Sequence, residues 1–263
     1  MKKILITGYT GFVGQSLCTY LLNQNNAIVG LSRNNGGQED IKFLPCDLAE
    51  TDSFQFLDEE NLAGIIHLAA NGNVGDCEQH PEESQKLNVR ATQLLGAYAK
   101  GGDIPIVFAS SDQVFDGKKG NYSVGDKALP LNAYGRQKLA AEESLLGTYS
   151  KAVVCRLPLM IGEHSKYIKA FVSSLKAGKE QMLFTDEIRS VLHVDEAVKQ
   201  LFKALTWDGG VYHLPGPKAM NRYELGLQIA IEHHLDLSLL KKGLQSDVKM
   251  LAKRPKNVSM VRT

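Results

Sequence analysis

The sequence lacks the features that would mark a membrane, secreted or nucleic-acid-binding protein. No apolar run approaches the length of a membrane span. The N-terminus leads directly into an apolar segment at Ile4, without the small-residue cleavage pattern of a signal peptide. The charges almost cancel, with 30 Lys and Arg against 29 Asp and Glu, so the composition gives no reason to expect a nucleic acid or an anionic membrane as partner.

Paired cysteines and clustered metal ligands are missing as well. The cysteines never form a C-x-x-C motif and are scattered over the chain, at Cys18, Cys46, Cys77 and Cys155. This usage is typical of reduced, mostly buried thiols, so we expect a cytoplasmic protein. His233-His234 has no matching ligand cluster, and we therefore expect no metal site.

What is present is a regular alternation of short apolar segments with amphipathic ones. Hydrophobic residues make up 43% of the 263 residues, enough for a sizeable core. Short apolar strands that alternate with helices predict an α/β fold, in which helices cover both faces of a doubly wound parallel sheet. The predicted strands are residues 4–6, 27–31, 41–45, 64–68, 104–109 and 152–155.

The first strand leads into a glycine-rich turn, Thr7-Gly-Tyr-Thr-Gly-Phe-Val-Gly14, and then into an amphipathic helix. Gly8 allows the chain to leave the strand in a conformation that a side chain would resist. Gly11 allows the backbone close to a pyrophosphate, and Gly14 allows the helix to pack on the strand. Because the free N–H groups at a helix start favour phosphates, the motif predicts a dinucleotide site. Its predicted cofactor-binding residues are Gly8, Thr10, Gly11, Phe12, Val13 and Gly14.

A second motif, Tyr134-Gly-Arg-Gln-Lys138, places a phenol and an ammonium on one face of a helix. We expect the Lys138 charge to lower the pKa of Tyr134, so that the phenol can exchange a proton with a carbonyl or alcohol oxygen. Ser110-Ser111-Asp112 ends the fifth strand and should face the same crevice. An exposed helix pair or a strand-end turn would produce either pattern alone, but the three motifs in this order are much more specific.

These segments resemble the extended short-chain dehydrogenase/reductases, and most of all the dTDP-4-dehydrorhamnose reductases. The resemblance spans nearly the whole chain and is carried mainly by residues 7–14, 110–117 and 130–138. Of these, residues 110–117 are the most specific part.

The resemblance implies a catalytic trio of Ser111, Tyr134 and Lys138. Hydride would pass from a nicotinamide to a keto carbon of a nucleotide-linked sugar. Tyr134 would deliver the proton, and Ser111 would hold the oxygen. Lys138 would tune Tyr134 and bind the nicotinamide ribose, so both residues also count as cofactor-binding. The remaining implied contacts are Asp47 and Leu48 with the adenine, Ala69 and Ala70 with the cofactor, and Asp112 and Gln113 with the sugar.

The residues after the second strand indicate which nicotinamide cofactor binds. NAD-preferring sites place Asp or Glu there, to bind the ribose 2′-hydroxyl. This chain has Ser32-Arg33 instead, with no acid before Glu39. Because an arginine accommodates a 2′-phosphate, we predict NADP(H), bound in part by Ser32 and Arg33.

The regular alternation ends after residue 157. We predict that residues 1–156 form an NADP-binding Rossmann domain, to which residues 193–213 return. Residues 157–192 and 214–263 are predicted to form a smaller C-terminal lobe that covers the crevice and binds the substrate. Helix-mediated dimers are common among the relatives, so a homodimer is possible.

These observations favour an NADPH-dependent reductase of a 4-keto deoxysugar nucleotide. The related dehydratases have a glutamate base at the position of Gln113, and an amide cannot act as that base, so dehydration is disfavoured. Other interpretations stay open: a non-catalytic NADP-binding regulatory subunit, similar to the β subunit of methionine adenosyltransferase, and a sugar-nucleotide epimerase or a reductase of some other carbonyl compound. The departures from the reductase pattern lie mostly on the substrate side, so the sequence does not identify the sugar.

Overall fold

The structure is a computed structural model that describes residues 2–263. Its strands are β1 Lys3–Thr7, β2 Ala27–Ser32, β3 Ile41–Pro45, β4 Leu62–His67, β5 Ile106–Ser111, β6 Val153–Leu157, β7 Met160–Ile161, β8 Gln181–Phe184, β9 Ile188–His193, β10 Gly210–His213, β11 Lys218–Asn221 and β12 Leu240–Gly243. Its α-helices are α1 Phe12–Asn23, α2 Val74–Gln79, α3 Pro81–Gln85, α4 Ala91–Gly101, α5 Ala133–Thr148, α6 Lys166–Lys176, α7 Val194–Lys203 and α8 Arg222–Glu232.

Seven strands form one parallel sheet in the order β10-β6-β5-β4-β1-β2-β3. The predicted α/β fold with a doubly wound parallel sheet is therefore confirmed. The strands are short aliphatic runs because both faces of the sheet are covered. One face packs against α4 and α5 through residues such as Leu95 and Leu145. The other packs against α1 and α7 through residues such as Leu17 and Val198.

The winding of the sheet reverses at β1, which pairs with β2 on one side and with β4 on the other. In open parallel sheets the ligand crevice lies at this reversal, beyond the carboxyl ends of the strands. Thr7 and His67 are register partners at these two ends. The glycine turn that follows Thr7 therefore lies beside the residues that follow His67.

A smaller group of elements lies outside this sheet. Strand β9 pairs antiparallel with β11 and parallel with β7, and β12 pairs parallel with β8. A separate apolar core that includes Phe171, Leu183 and Ile229 joins α6, β8 and α8. Strand β10, in contrast, pairs with β6 in the central sheet. The residue limits that we give for two domains stay a prediction.

Within the described residues, no helix combines the length and the apolar character that crossing a membrane requires.

Candidate active site

Two adjoining cavities lie at the carboxyl edge of the central sheet. The larger has a volume of about 1050 Å³ and the smaller about 330 Å³. Both are lined by Gly8, Gly11, Leu68, Ala70 and Gly72, so together they form one crevice that the glycine turn divides.

The glycine turn is packed too closely for side chains. Gly8 has a φ of +68°, and a Cβ there would lie 2.9 Å from the backbone of Ala69. A Cβ on Gly14 would lie 2.2 Å from the carbonyl oxygen of Gly8. Helix α1 starts after Gly11 without a side-chain cap. The free N–H groups of its first turn and the positive end of its dipole are thus directed at the crevice.

A buried hydrogen-bond chain fixes the floor of the crevice between β1 and β4. The Thr7 hydroxyl oxygen accepts hydrogen bonds from the backbone N–H groups of Leu68 (3.2 Å) and Ala69 (3.1 Å). Its own hydrogen is then directed to Nδ1 of His67, at 2.6 Å. Nε2 of His67 consequently carries the proton and donates to the hydroxyl of Thr92, at 2.9 Å. This single neutral tautomer satisfies every group in the chain.

Burial keeps this histidine uncharged, because it lowers the pKa of His67 to about 3. Sequence reasoning assigned no role to His67. A usable signal was present, since Thr7 and His67 are the polar residues that end two apolar strands. Polar residues at the ends of neighbouring parallel strands meet at one edge of the sheet.

The predicted catalytic residues lie together in the smaller cavity. Ser111, Tyr134 and Lys138 line it along with Gly14, Phe12 and Val13. Ser111 ends β5, and its hydroxyl accepts a hydrogen bond from the Gln113 backbone N–H at 3.2 Å. The Lys138 ammonium donates to the Ala109 carbonyl oxygen at 2.8 Å and lies 4.4 Å from the centre of the Phe108 ring.

The start of α5 aims Tyr134 into this cavity. The Asn132 side chain caps the helix by accepting a hydrogen bond from the Gly135 backbone N–H, at 2.9 Å. The amide of Asn132 also donates to the Gln113 side chain at 3.1 Å, which ties the helix start to the end of β5. Gly135 allows this contact, because a Cβ there would lie 2.3 Å from the Gln113 carbonyl oxygen.

Burial dominates the proton affinities of the phenol and the ammonium. It raises the pKa of Tyr134 to about 12, although the neighbouring Ser111 hydroxyl lowers it. Burial also lowers the pKa of Lys138 to about 8, against the opposing charge of Glu142. The expectation that Lys138 lowers the Tyr134 pKa is wrong for this structure, because the loss of hydration outweighs any nearby positive charge. Tyr134 is therefore a protonated acid at neutral pH.

The other predicted cofactor residues line the larger cavity. They lie at or just beyond the carboxyl ends of β1, β2, β3 and β4: Thr10, Ser32, Arg33, Asp47, Leu48, Ala69 and Ala70. The Arg33 side chain is exposed, whereas Leu48 is buried. The structure thus brings every predicted cofactor residue into one crevice, although up to 130 positions of the sequence separate them, from Gly8 to Lys138.

Asp112 and Gln113, predicted to meet the sugar, line neither cavity. Asp112 is fully buried and binds the Arg189 guanidinium through two hydrogen bonds, one of them 2.6 Å from Nε to Oδ2. Burial raises the pKa of Asp112, although Arg189 opposes this. Sequence reasoning missed Arg189; its only signal was an arginine inside the apolar strand β9. The pair joins the end of β5 to the smaller lobe, directly behind Ser111.

Comparison with known proteins agrees with this geometry. Residues 1–263 match the family described as the RmlD substrate binding domain. The chain is 28% identical over 262 residues to the "Probable low-salt glycan biosynthesis reductase Agl14" of Haloferax volcanii, covering 95% of this chain and 87% of that protein. It is also 28% identical over 273 residues to the methionine adenosyltransferase 2 subunit beta of Danio rerio, covering 98% of this chain and 82% of the relative.

A solved structure shares the fold. The dTDP-4-dehydrorhamnose reductase of Bacillus anthracis, solved in complex with NADP, superposes with a TM-score of 0.84 at 20% identity and covers 100% of this chain and 92% of its own. This likeness shows the fold, and the family match over residues 1–263 shows the family. The chain belongs to the RmlD substrate-binding domain family.

Proposed function

We propose that this chain is an NADPH-dependent reductase of a 4-keto deoxysugar nucleotide, similar in activity to the dTDP-4-dehydrorhamnose reductases. One observation carries the proposal: Ser111, Tyr134 and Lys138 line the same cavity as Gly11 and Gly14. A dinucleotide held by the glycine turn would therefore have one end beside a hydroxyl, a phenol and an ammonium.

The crevice fits a nicotinamide dinucleotide by several features of its own. The turn leaves no room for a Cβ at Gly8 or Gly14, and α1 starts without a side-chain cap. Arg33 lines the larger cavity, where it can bind a 2′-phosphate. The NADP in the related Bacillus anthracis structure supports the same cofactor here. When bound, the cofactor supplies the hydride.

The side chains of the smaller cavity then handle the proton and the charge on the substrate oxygen. Tyr134, with its pKa raised to about 12, holds the proton that the reduced carbonyl oxygen needs. The Ser111 hydroxyl donates only a long hydrogen bond to Asp112, at 3.4 Å, so its hydrogen can turn to the substrate oxygen. Lys138, with a pKa lowered to about 8, is mostly charged at pH 7 and stabilises negative charge on that oxygen.

The test is NADPH oxidation with a panel of 4-keto sugar nucleotides, comparing the wild type with Tyr134→Phe. We expect the variant to bind NADPH as the wild type does and to lose at least about a hundredfold in kcat, the contribution of general acid catalysis. Tyr98→Phe, on α4, is the matched control and should keep full activity. A wild type that binds NADPH but oxidises it with no member of the panel would contradict the reductase proposal.

A regulatory subunit is the second candidate, because the chain is 28% identical to a methionine adenosyltransferase β subunit over nearly its full length. Such a protein would bind the dinucleotide without consuming it. The same assay separates the candidates: cofactor binding without turnover, together with a Tyr134→Phe variant that behaves as the wild type, would favour the regulatory subunit.

A further inference from the structure

Tyr9 is a residue of the glycine turn whose side chain points away from the crevice and into the fold. Its side chain is 1% exposed and packs against Phe43, with 6.4 Å between the ring centres. Gly30 of β2 lies under the ring, where a Cβ would come within 2.7 Å of it. The ring is therefore held in one orientation by the neighbouring strands.

This orientation brings the Tyr9 hydroxyl to the loop after β2. The hydroxyl oxygen accepts a hydrogen bond from the Gly36 backbone N–H at 3.0 Å, and its own hydrogen points to the Asn35 side-chain oxygen at 3.5 Å. That oxygen also accepts a hydrogen bond from the Gly37 backbone N–H at 3.0 Å. A Cβ on Gly36 would lie 2.9 Å from the Thr10 methyl group, so the loop rests directly on the glycine turn.

The loop that Tyr9 holds carries several of the residues that line the larger cavity. Ser32, Arg33, Asn34, Asn35 and Gly36 all line it. The Ser32 hydroxyl donates to the Asn34 carbonyl oxygen at 2.5 Å, which tightens the start of the loop. Every residue from Arg33 to Gly37 is exposed. The Tyr9 hydroxyl is thus a buried anchor for an otherwise solvent-facing segment, and fixing its backbone reduces the entropy lost when Arg33 binds a ligand.

We propose that Tyr9 is a positioning residue for the cofactor 2′-phosphate, acting through the loop that carries Arg33. This rests on the proposed use of NADPH. The glycine turn contacts the pyrophosphate, which NADPH and NADH share, whereas the loop contacts the 2′ position, where they differ. Loss of the Tyr9 hydroxyl should therefore weaken the binding of NADPH alone.

The experiment measures dissociation constants for NADPH and NADH by nicotinamide fluorescence, for the wild type and Tyr9→Phe. We expect the NADPH dissociation constant to rise about fivefold, the effect of one lost hydrogen bond, with NADH unchanged. Asn35→Ala, on the exposed side of the same contact, should shift the ratio in the same direction without touching the core. Tyr20→Phe, on α1, is the matched control and should change neither constant.

The outcomes separate this inference from the proposed function. A wild type that prefers NADPH, with an unchanged cofactor ratio in both Tyr9→Phe and Asn35→Ala, would overturn the role of Tyr9 alone. Equal weakening of NADPH and NADH would also overturn it, because the effect would then be a general loosening of the turn. A wild type that binds NADPH no better than NADH overturns the proposed cofactor before any variant is compared.

Discussion

The two ends of the crevice are built differently, although one glycine turn serves both. At the smaller cavity the functional groups project from regular elements and are backed by buried charges. At the larger cavity most of them project from loops, and the ion pair between Lys86 and Glu50, at 3.3 Å, is exposed. The rigid end fits a proton transfer, which tolerates little displacement. The loop end fits recognition of a substituent that only one of two cofactors carries.

The support behind the rigid end is a buried row of polar side chains. Ser110 on β5, Arg156 on β6 and His213 on β10 are successive register partners across the sheet. Glu142, on α5 one turn after Lys138, accepts hydrogen bonds from the first two: the Ser110 hydroxyl, and Arg156 Nη2 at 2.7 Å. The helix that carries Tyr134 and Lys138 is thus bonded to the strand that carries Ser111.

The largest effect is expected from Glu142→Gln, which would disrupt the buried polar contacts behind the smaller cavity. The substitution leaves the Arg156 guanidinium buried without its charged partner, which typically costs about 3–5 kcal/mol. It also removes the charge that raises the Lys138 pKa. Lys138 should then lose its proton at a lower pH, so the alkaline limb of the pH–activity profile should shift to lower pH than in the wild type. Denaturant unfolding measures the first effect and a pH–activity profile the second. The neighbouring exposed Glu143→Gln is the control, expected within about 0.5 kcal/mol of the wild type.

Gly14→Ala should disturb both ends at once, because it deforms the shared turn. Its Cβ would lie 2.2 Å from the Gly8 carbonyl oxygen, so backbone must move, at a cost of about 2–3 kcal/mol in unfolding free energy. We expect the binding of NADPH and of NADH to be weakened equally. The control is Gly147→Ala, in α5 with open space around it, which should stabilise the folded protein slightly. A Gly14→Ala variant with unchanged stability would show that the turn is less tightly packed than described.

Acid should destabilise the folded protein through His67, which lies in the floor of the crevice. The folded protein holds His67 neutral with a pKa of about 3, whereas the unfolded chain protonates it near 6.5. The unfolded state therefore binds more protons between these values, and stability is lost as the pH falls below about 6.5. From pH 6.5 to pH 5 this costs about 1.6 kcal/mol. Unfolding at the two pH values should show a steeper loss for the wild type than for His67→Gln; equal slopes would contradict the buried neutral tautomer.

The smallest of these effects is expected from Arg33→Ser, which tests whether the larger cavity distinguishes NADPH from NADH. Loss of one charge-assisted contact to the 2′-phosphate should raise the NADPH dissociation constant roughly tenfold and leave NADH unchanged. Lys86→Ala is the control, since this second cation of the cavity is already paired with Glu50. Comparable losses from both variants would mean that the cavity attracts NADPH by its overall charge and not through Arg33.

Much of the fold followed from local pattern. Apolar runs of strand length between amphipathic segments predicted the parallel sheet, and the glycine spacing predicted the turn between β1 and α1. The four-residue spacing of Tyr134 and Lys138 predicted a shared helix face. The pattern did not reveal the proton affinity of Tyr134, because burial depends on every element around the phenol and not on its sequence neighbours.

By itself the sequence determined which residues lie at strand ends and on common helix faces, since these follow from the repeat of the backbone. Only the tertiary structure decided which distant polar side chains meet. Arg189 reaches the Asp112 carboxylate across 77 positions, and His213 contacts Arg156 across 57. Buried polar groups pair with whatever partner the packing brings within hydrogen-bond distance, and that choice is made by the whole fold.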